Sequence, residues 1–469
     1  MSPTSATPDP GSFREREGRV YHEDGRIFRG LSTAALADFH QLQNTRFYKQ
    51  FVEAGRIVDT CEVPAESLHL PREVSEQWSG FLEHQRIPAI TYPYEWTFGM
   101  LREAAELQLD LLAAAIPEGM TLKDASPYNI QFHRGQAVFI DIPSFEKLEP
   151  GSTWTGYRQF CEMFLFPLLL QSYKDIDFQP FLRSSINGID VQTAARLFSL
   201  RDRFRSGVMS HVWLQSVLDR RYGSTRSNVK SNLKSAGFNR EMILSNVRRL
   251  KKLVTGLTWK GAGSEWGGYA EFHNYSEADH QLKEQFIDRC LAEIKPSVAW
   301  DVGCNTGQFA NIAARHAGLV IAMDMDHLAV DKLYNQLGKV ASDNLIPLMQ
   351  NVADPSPSWG WRNRERTDLV QRVPPDLLMC LALIHHVVIS ANIPLTEFIG
   401  WLASLSRHLI IEFVSRDDGK VQALLRNKKD HYVDYSQSSL EAALNQYFVI
   451  NDRLPLESGN RQLYWCQRR

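Results

Sequence analysis

Cysteine is scarce and scattered. The six residues Cys61, Cys161, Cys290, Cys304, Cys380 and Cys466 never form a Cys-x-x-Cys pair. That spacing suggests neither a thiolate zinc site nor a disulfide framework, and no metal is expected; a reducing cytoplasm fits best. Long apolar runs are also missing. The longest, residues 163–170, is interrupted by Pro167 and falls far short of the roughly 20 residues a membrane-spanning helix needs, so no membrane partner is expected. An excess of one charge is absent too. The formal net charge is −2, which gives no global attraction to nucleic acid, and a nucleic-acid partner is not expected. Residues 2–12 are rich in Pro, Ser and Thr without an apolar run; residues 1–17 therefore read as a disordered tail and not a signal peptide. Nothing in the sequence bears on oligomeric state.

What is present is ordinary globular material, 43% apolar and 23% charged over 469 residues, long enough for two or three domains. The most informative stretch is Val298-Ala299-Trp300-Asp301-Val302-Gly303-Cys304-Asn305-Thr306-Gly307-Gln308-Phe309. Its apolar start has strand composition, its glycines mark a tight turn, and the following residues recur at helical spacing. An open α/β sheet binds its ligand at such a strand-to-helix crossing. A second buried-type strand, residues 319–324, ends in Asp324, with Met325 and Asp326 after it. Asp301 and Asp324 are separated by about the 20 residues of one strand–helix–strand unit. Further strand patterns cover residues 345–354, 376–387 and 408–414, and two more at 447–453 and 462–467 are joined by a short loop.

Asp301-Val302-Gly303-Cys304-Asn305-Thr306-Gly307 resembles the first motif of class I S-adenosylmethionine-dependent methyltransferases, with Asn305 where the common form has its middle glycine. The resemblance covers residues 270–469. It implies a seven-stranded Rossmann-like sheet closed by an antiparallel terminal hairpin, S-adenosylmethionine as cofactor and a small-molecule acceptor methylated on oxygen, nitrogen or carbon. It assigns the cofactor to Asp301, Gly303, Cys304, Asn305 and Gly307, and to Asp324, Met325 and Asp326 beside the ribose. Val352, Ala353 and Asp354 would lie beside the adenine, with Leu381 after the fourth strand. His385, His386 and Glu412 are the candidate catalytic residues, since they follow the fourth strand or end the fifth. His431, Asp434 and Tyr435 are candidates for the acceptor pocket, and Trp266, Tyr269, Asn274 and Tyr275 for a lid.

The first half reads differently. Residues 18–30 form a hairpin pattern around Asp24-Gly25, residues 33–58 look helical, and residues 98–115 make a strongly apolar helix. Lys123-Asp124-Ala125-Ser126-Pro127-Tyr128-Asn129, followed by an apolar strand ending in Asp141, resembles the catalytic region of kinase-like phosphotransferases. The resemblance implies an acceptor-orienting Asp124 and magnesium held by Asn129 and Asp141. No Gly-x-Gly-x-x-Gly loop and no Val-Ala-x-Lys strand precede them, so the module reads as degenerate. Residues 18–219 are expected to be a mainly helical α+β kinase-like domain for substrate or partner binding. Residues 220–252 carry ten basic side chains against Glu241 and, with the glycines that follow, suggest a linker over residues 220–269. The alternatives are a bifunctional methyltransferase/phosphotransferase and an RNA methyltransferase that uses the basic linker.

Overall fold

The computed structural model describes residues 6–222, 240–261, 277–337, 343–426, 428 and 432–469. The chain divides into two units. One comprises Met1–Tyr94, Phe98–Lys260 and Ser358–Thr367, the other Glu95–Thr97, Gly261–Pro357 and Asp368–Arg469. Among the described residues, no helix is long and apolar enough to cross a membrane.

The first unit opens on an antiparallel sheet. Its strands are β1 (Thr7–Pro8), β2 (Gly18–Glu23), β3 (Arg26–Leu31), β4 (Thr60–Val63) and β5 (Gly80–His84), in the order β1-β2-β3-β5-β4. Asp24 and Gly25 both take positive φ, 47° and 79°, which matches the right-handed strand twist of a two-residue hairpin. Helix α1 (Thr33–Gln43) follows β3 and is capped by the Ser32 side chain, which accepts from the Ala35 amide. Helix α2 (Phe98–Ala115) is buried around most of its circumference. Four short strands follow it, paired as β6 (Met120–Leu122) with β9 (Phe145–Lys147) and β7 (Ile130–His133) with β8 (Gln136–Phe139).

Two sequence expectations need correction here. Residues 6–17 are not a disordered tail: β1 pairs with β2, and the Arg14 guanidinium donates to both carboxylate oxygens of Glu365 at 2.6 and 2.9 Å. Part of the basic stretch is helical rather than linker. Residues 240–255 form helix α3 (Arg240–Thr255), packed on α2 within the first unit. Its buried stripe Ile243, Leu244, Val247, Leu250 and Val254 has helical spacing, leaving Arg248, Arg249 and Lys252 exposed. Arg226, Lys230 and Lys234 lie outside the described residues.

The second unit is a seven-stranded sheet of β10 (Val298–Val302), β11 (Leu319–Asp324), β12 (Leu345–Met349), β13 (Leu377–Cys380), β14 (His408–Val414), β15 (Phe448–Pro455) and β16 (Arg461–Arg468). The order is β12-β11-β10-β13-β14-β16-β15. The first five strands are mutually parallel, and β16 runs antiparallel to β14 and β15. Pro347, which has no N–H to donate, falls in edge strand β12, where that loss is tolerated. Helix α4 (Glu277–Ile294) precedes β10, α5 (Gln308–Ala313) follows it, and α6 (His327–Leu337) follows β11. Strand order reverses at β10, so the crevice outside the carboxyl ends of β10 and β13 is the place where such a sheet accepts a ligand. The third and fourth strands end at Met349 and Cys380, earlier than their apolar runs suggest. Val352 to Asp354 and Leu381 to Leu383 are therefore loop and turn residues beyond the strand ends, and Ile384 to Ser390 are helical.

Candidate functional site

Asp301 is the last acidic position of β10 and is 1% exposed. Its Oδ2 has no hydrogen-bond partner. Burial pushes its carboxyl up to about 7; the Lys283 charge opposes that shift and the Asp324 charge adds to it. Beyond it the chain turns through three residues in the left-handed region, Gly303 (φ 81°), Asn305 (φ 50°) and Gly307 (φ 83°). The Gly303 and Cys304 amides donate to the Met323 carbonyl at 2.8 and 3.0 Å, which ties the turn to β11. Asn305 replaces the expected glycine because asparagine is one of the few side chains that tolerate this backbone region. A Cβ at Gly307 would collide with the Leu333 side chain of α6, and one at Gly303 would sit 3.1 Å from Leu383. Cys304 is buried, and burial raises its thiol well above the usual range.

Asp324 accepts the Asn305 amide on Oδ2 at 2.8 Å and the Asp326 amide on Oδ1 at 3.0 Å. Burial outweighs these bonds and holds its carboxyl above the ordinary value. Asp326 is held differently. Its Oδ1 accepts the Leu328 and Ala329 amides at 3.0 and 3.1 Å and caps α6. Met325 stands between them, 61% exposed. After β12, Asn351 Oδ1 accepts the Ala353 amide at 3.0 Å; Val352 and Ala353 are half-buried and Asp354 is exposed. After β13, Leu381 is buried and Ala382 takes φ 50°, a conformation that costs a non-glycine residue energy.

The His385 ring is 1% exposed, and neither nitrogen has a partner. Burial, then the neighbouring His386, push its pKa well below the histidine range. The half-buried His386 ring lies 4.1 Å away between centroids, and burial lowers it to about 4. Both imidazoles are neutral at physiological pH.

Glu412, a candidate proton acceptor from sequence, is spoken for. Its Oε2 accepts Lys283 Nζ at 2.6 Å and its Oε1 accepts Arg461 Nη1 at 3.1 Å, while Arg461 Nη2 reaches Asp418 at 2.9 Å. All four side chains are buried. Two hydrogen-bonded basic side chains hold this carboxylate in place. Lys420, the second residue of α7 (Gly419–Leu425), is half-buried, and burial followed by the Arg461 charge lowers its amine to about 8. Tyr435 does not line a pocket: it is buried and donates to the Val414 carbonyl at 2.7 Å. Asp434 is exposed. His431, Trp266, Tyr269, Asn274 and Tyr275 lie outside the described residues. Sequence reasoning missed Lys283, although a signal existed. It continues the buried stripe of α4 formed by Asp279, Phe286, Ile287, Cys290 and Leu291, and a lysine in an apolar stripe calls for a buried counter-charge.

In the first unit, Asn129 and Asp141 are joined through Ser144. Ser144 Oγ donates to Asp141 Oδ2 at 2.5 Å, and Asn129 Nδ2 donates to Ser144 Oγ at 3.1 Å. The charge of Asp141 adds to burial in raising the Asp124 carboxyl. Sequence did not anticipate Arg29 on β3, whose Nη1 sits 2.5 Å from Asp141 Oδ1 and 3.3 Å from Glu15. With a guanidinium and a hydroxyl on its two oxygens, Asp141 in this arrangement does not fit a magnesium ion.

The strand order of the second unit and its terminal antiparallel hairpin are consistent with a class I methyltransferase fold. Over 473 residues the chain is 33% identical to nodulation protein NoeA of Rhizobium meliloti (strain 1021), spanning 99% of this chain and 98% of that protein. The chain belongs to the NoeA family. No protein-family model matches it. Among solved structures, the N-methyltransferase NodS of Bradyrhizobium japonicum WM9 aligns with 41% of this chain and 98% of its own at 11% identity and a TM-score of 0.31. Magnesium protoporphyrin IX methyltransferase of Synechocystis PCC 6803, with bound SAH, aligns with 42% of this chain and 89% of its own at 18% identity and a TM-score of 0.30. The bifunctional kinase-methyltransferase WbdD aligns over 46% of each chain at 15% identity and a TM-score of 0.30.

The turn and the buried ion pair make separate stability predictions. Asn305→Gly changes unfolding free energy by less than about 1 kcal/mol, whereas Asn305→Val loses roughly 1–2 kcal/mol because a β-branched residue resists the left-handed region. Lys283→Met leaves Glu412 short of a counter-charge and costs roughly 3–5 kcal/mol. Urea denaturation followed by circular dichroism measures both; a Lys283→Met protein as stable as wild type would contradict the second.

Proposed function

We propose that the second unit is a methyltransferase that uses S-adenosylmethionine to methylate a small-molecule acceptor. The observation that carries this reading is Asp301, a buried carboxylate with an unpartnered oxygen beside a turn of three left-handed residues. Such a group is costly to bury without compensation. A cationic ammonium would supply that compensation. The surroundings fit the rest of the cofactor: glycine at Gly303 and Gly307 keeps the turn free of side chains, Asp324 presents a carboxylate at the end of β11, and Met325 offers an apolar surface. When bound, the cofactor supplies an electrophilic methyl group.

The chain's own residues then position and desolvate. Holding an acceptor in line with the methyl group can contribute on the order of 7–11 kcal/mol in favourable cases. His385 is the group best placed to take a proton from an acceptor hydroxyl or ammonium, because it is neutral and both its nitrogens are free of partners. Glu412, fixed by Lys283 and Arg461, positions the adjoining wall. The six free cysteines fit a cytoplasmic enzyme.

For the first unit we propose a kinase-derived scaffold without phosphoryl transfer. Support comes from an antiparallel sheet of order β1-β2-β3-β5-β4 with α1 after its third strand, followed by Asp124, Asn129 and Asp141 at the expected separations. The Arg29–Asp141 pair argues against magnesium-dependent chemistry there.

Titration calorimetry on the full chain tests the first reading. Wild type is expected to bind S-adenosylmethionine, and Asp324→Ala to bind it at least about tenfold more weakly, since hydrogen bonds to a charged group contribute roughly 1.5–3 kcal/mol each. Only ionised Asp301 attracts an ammonium, and its carboxyl titrates about 7. Affinity should therefore rise from pH 6 to pH 8 and become flat in Asp301→Asn. The same raised value means that the folded state holds a proton the unfolded state has lost between pH 4 and 7, so stability falls across that window and Asp301→Asn removes the fall. Absence of binding by the folded protein would sink the proposal.

The first unit is tested by ATP turnover with magnesium. Neither wild type nor Asp141→Ala is expected to exceed background, and turnover abolished by Asp141→Ala would establish phosphoryl transfer instead.

A further inference from the structure

Among the described residues, thirteen large apolar side chains are exposed, and six of them lie between residues 200 and 218 of the first unit: Leu200, Phe204, Met209, Leu214, Val217 and Leu218. Phe204 is 92% exposed and Leu200 66%. They stand at the ends of a short turn whose sequence, Leu200-Arg201-Asp202-Arg203-Phe204-Arg205, alternates them with arginines. A scattered exposed leucine needs no explanation, but six exposed apolar side chains in one short stretch of chain point to an interaction surface.

The charge around the patch has one sign. Arg196, Arg201, Arg205, Arg220 and Arg221 are exposed, and the Arg203 guanidinium lies 3.6 Å over the Trp213 ring. The acids of the same stretch are less exposed. Asp202 is buried, pairs with Lys174 at 2.9 Å and with Arg205 at 3.4 Å and accepts from Ser199, and Asp219 pairs with Arg158 at 3.1 Å and Gln192 at 3.2 Å. Between the helices Val191–Leu197 and Leu214–Tyr222 lies a cavity of about 560 Å³, lined by Arg196, Leu200, Trp213 and Arg220 among others.

We propose that this surface docks on an anionic lipid bilayer. Phe204 and Leu200 enter the acyl boundary while the arginines meet lipid phosphates, which satisfies both halves of the patch at once. A second copy of the chain fits less well, because a two-fold contact would bring the arginine cluster against itself. Nothing here requires a spanning helix, and the proposal is independent of the methyl-transfer reading.

Sedimentation of the full chain with vesicles is the test. Binding is expected to phosphatidylcholine vesicles containing 30% phosphatidylserine and not to phosphatidylcholine alone, with a decline as salt rises. Leu200→Glu/Phe204→Asp and, separately, Arg201→Glu/Arg205→Glu should each weaken partitioning by about tenfold or more. All four positions are exposed, and circular dichroism checks that the variants fold. No binding to anionic vesicles, or binding unchanged in the Phe204 variant, would overturn the proposal. So would light scattering that shows a dimer dissolved by the same substitutions, since the patch would then serve self-association.

Discussion

The ion pair between Lys283 and Glu412, with Arg461 on the other carboxylate oxygen, joins α4, β14 and β16 in the interior of the second unit. Isolated charges cannot be left inside a fold, and pairs are tolerated only where hydrogen bonds and geometry offset desolvation. Both oxygens of Glu412 are engaged and Arg461 passes on to Asp418, so the network is closed. That closure ties the helix before the first parallel strand to β14 and β16. It also gives Asp301 its nearest cation without giving it a hydrogen bond. One buried carboxylate is completed by the fold, and the other keeps an oxygen without a hydrogen-bond partner.

The backbone of the turn divides the acids further. Asp324 uses one lone pair on each oxygen for the amides of Asn305 and Asp326, and each carboxylate oxygen has another to offer. The two bonds fix the carboxylate's direction without exhausting it. Asp326 is held differently, its Oδ1 taken up by two amides of the first helical turn. Two acids two positions apart are thus held differently, and the difference comes from the start of α6 and not from the residue type.

Much of the second unit is legible in the sequence because buried parallel strands are continuous apolar runs, and helical periodicity between them is strong. The run does not say where the strand stops. Leu381 to Ile384 are as apolar as β13, yet Ala382 has already turned to φ 50°, so the pocket edge falls earlier than composition suggests. In the first unit, β1, β4 and β5 are two to five residues long, too short for alternation to register. The stripe of α3 lies inside a basic segment whose charge masks it. Arg29, more than a hundred residues from Asp141, could not be paired with it by any local pattern.

Asp141 and Asp301 together show why position and burial alone do not assign function. Asp301 is buried near the end of β10, Asp141 is half-buried just past the end of β8, and both fall in motifs that resemble catalytic ones. Arg29 and Ser144 hold Asp141 ionised, below the ordinary carboxylate range against the cost of burial, so it has its counter-charge before any ligand arrives. Asp301 sits high, with an oxygen unmatched. A ligand that brings a positive charge gains from the second acid what the protein has already taken from the first. That difference is the ground on which we propose that the ligand-binding chemistry belongs to the second unit.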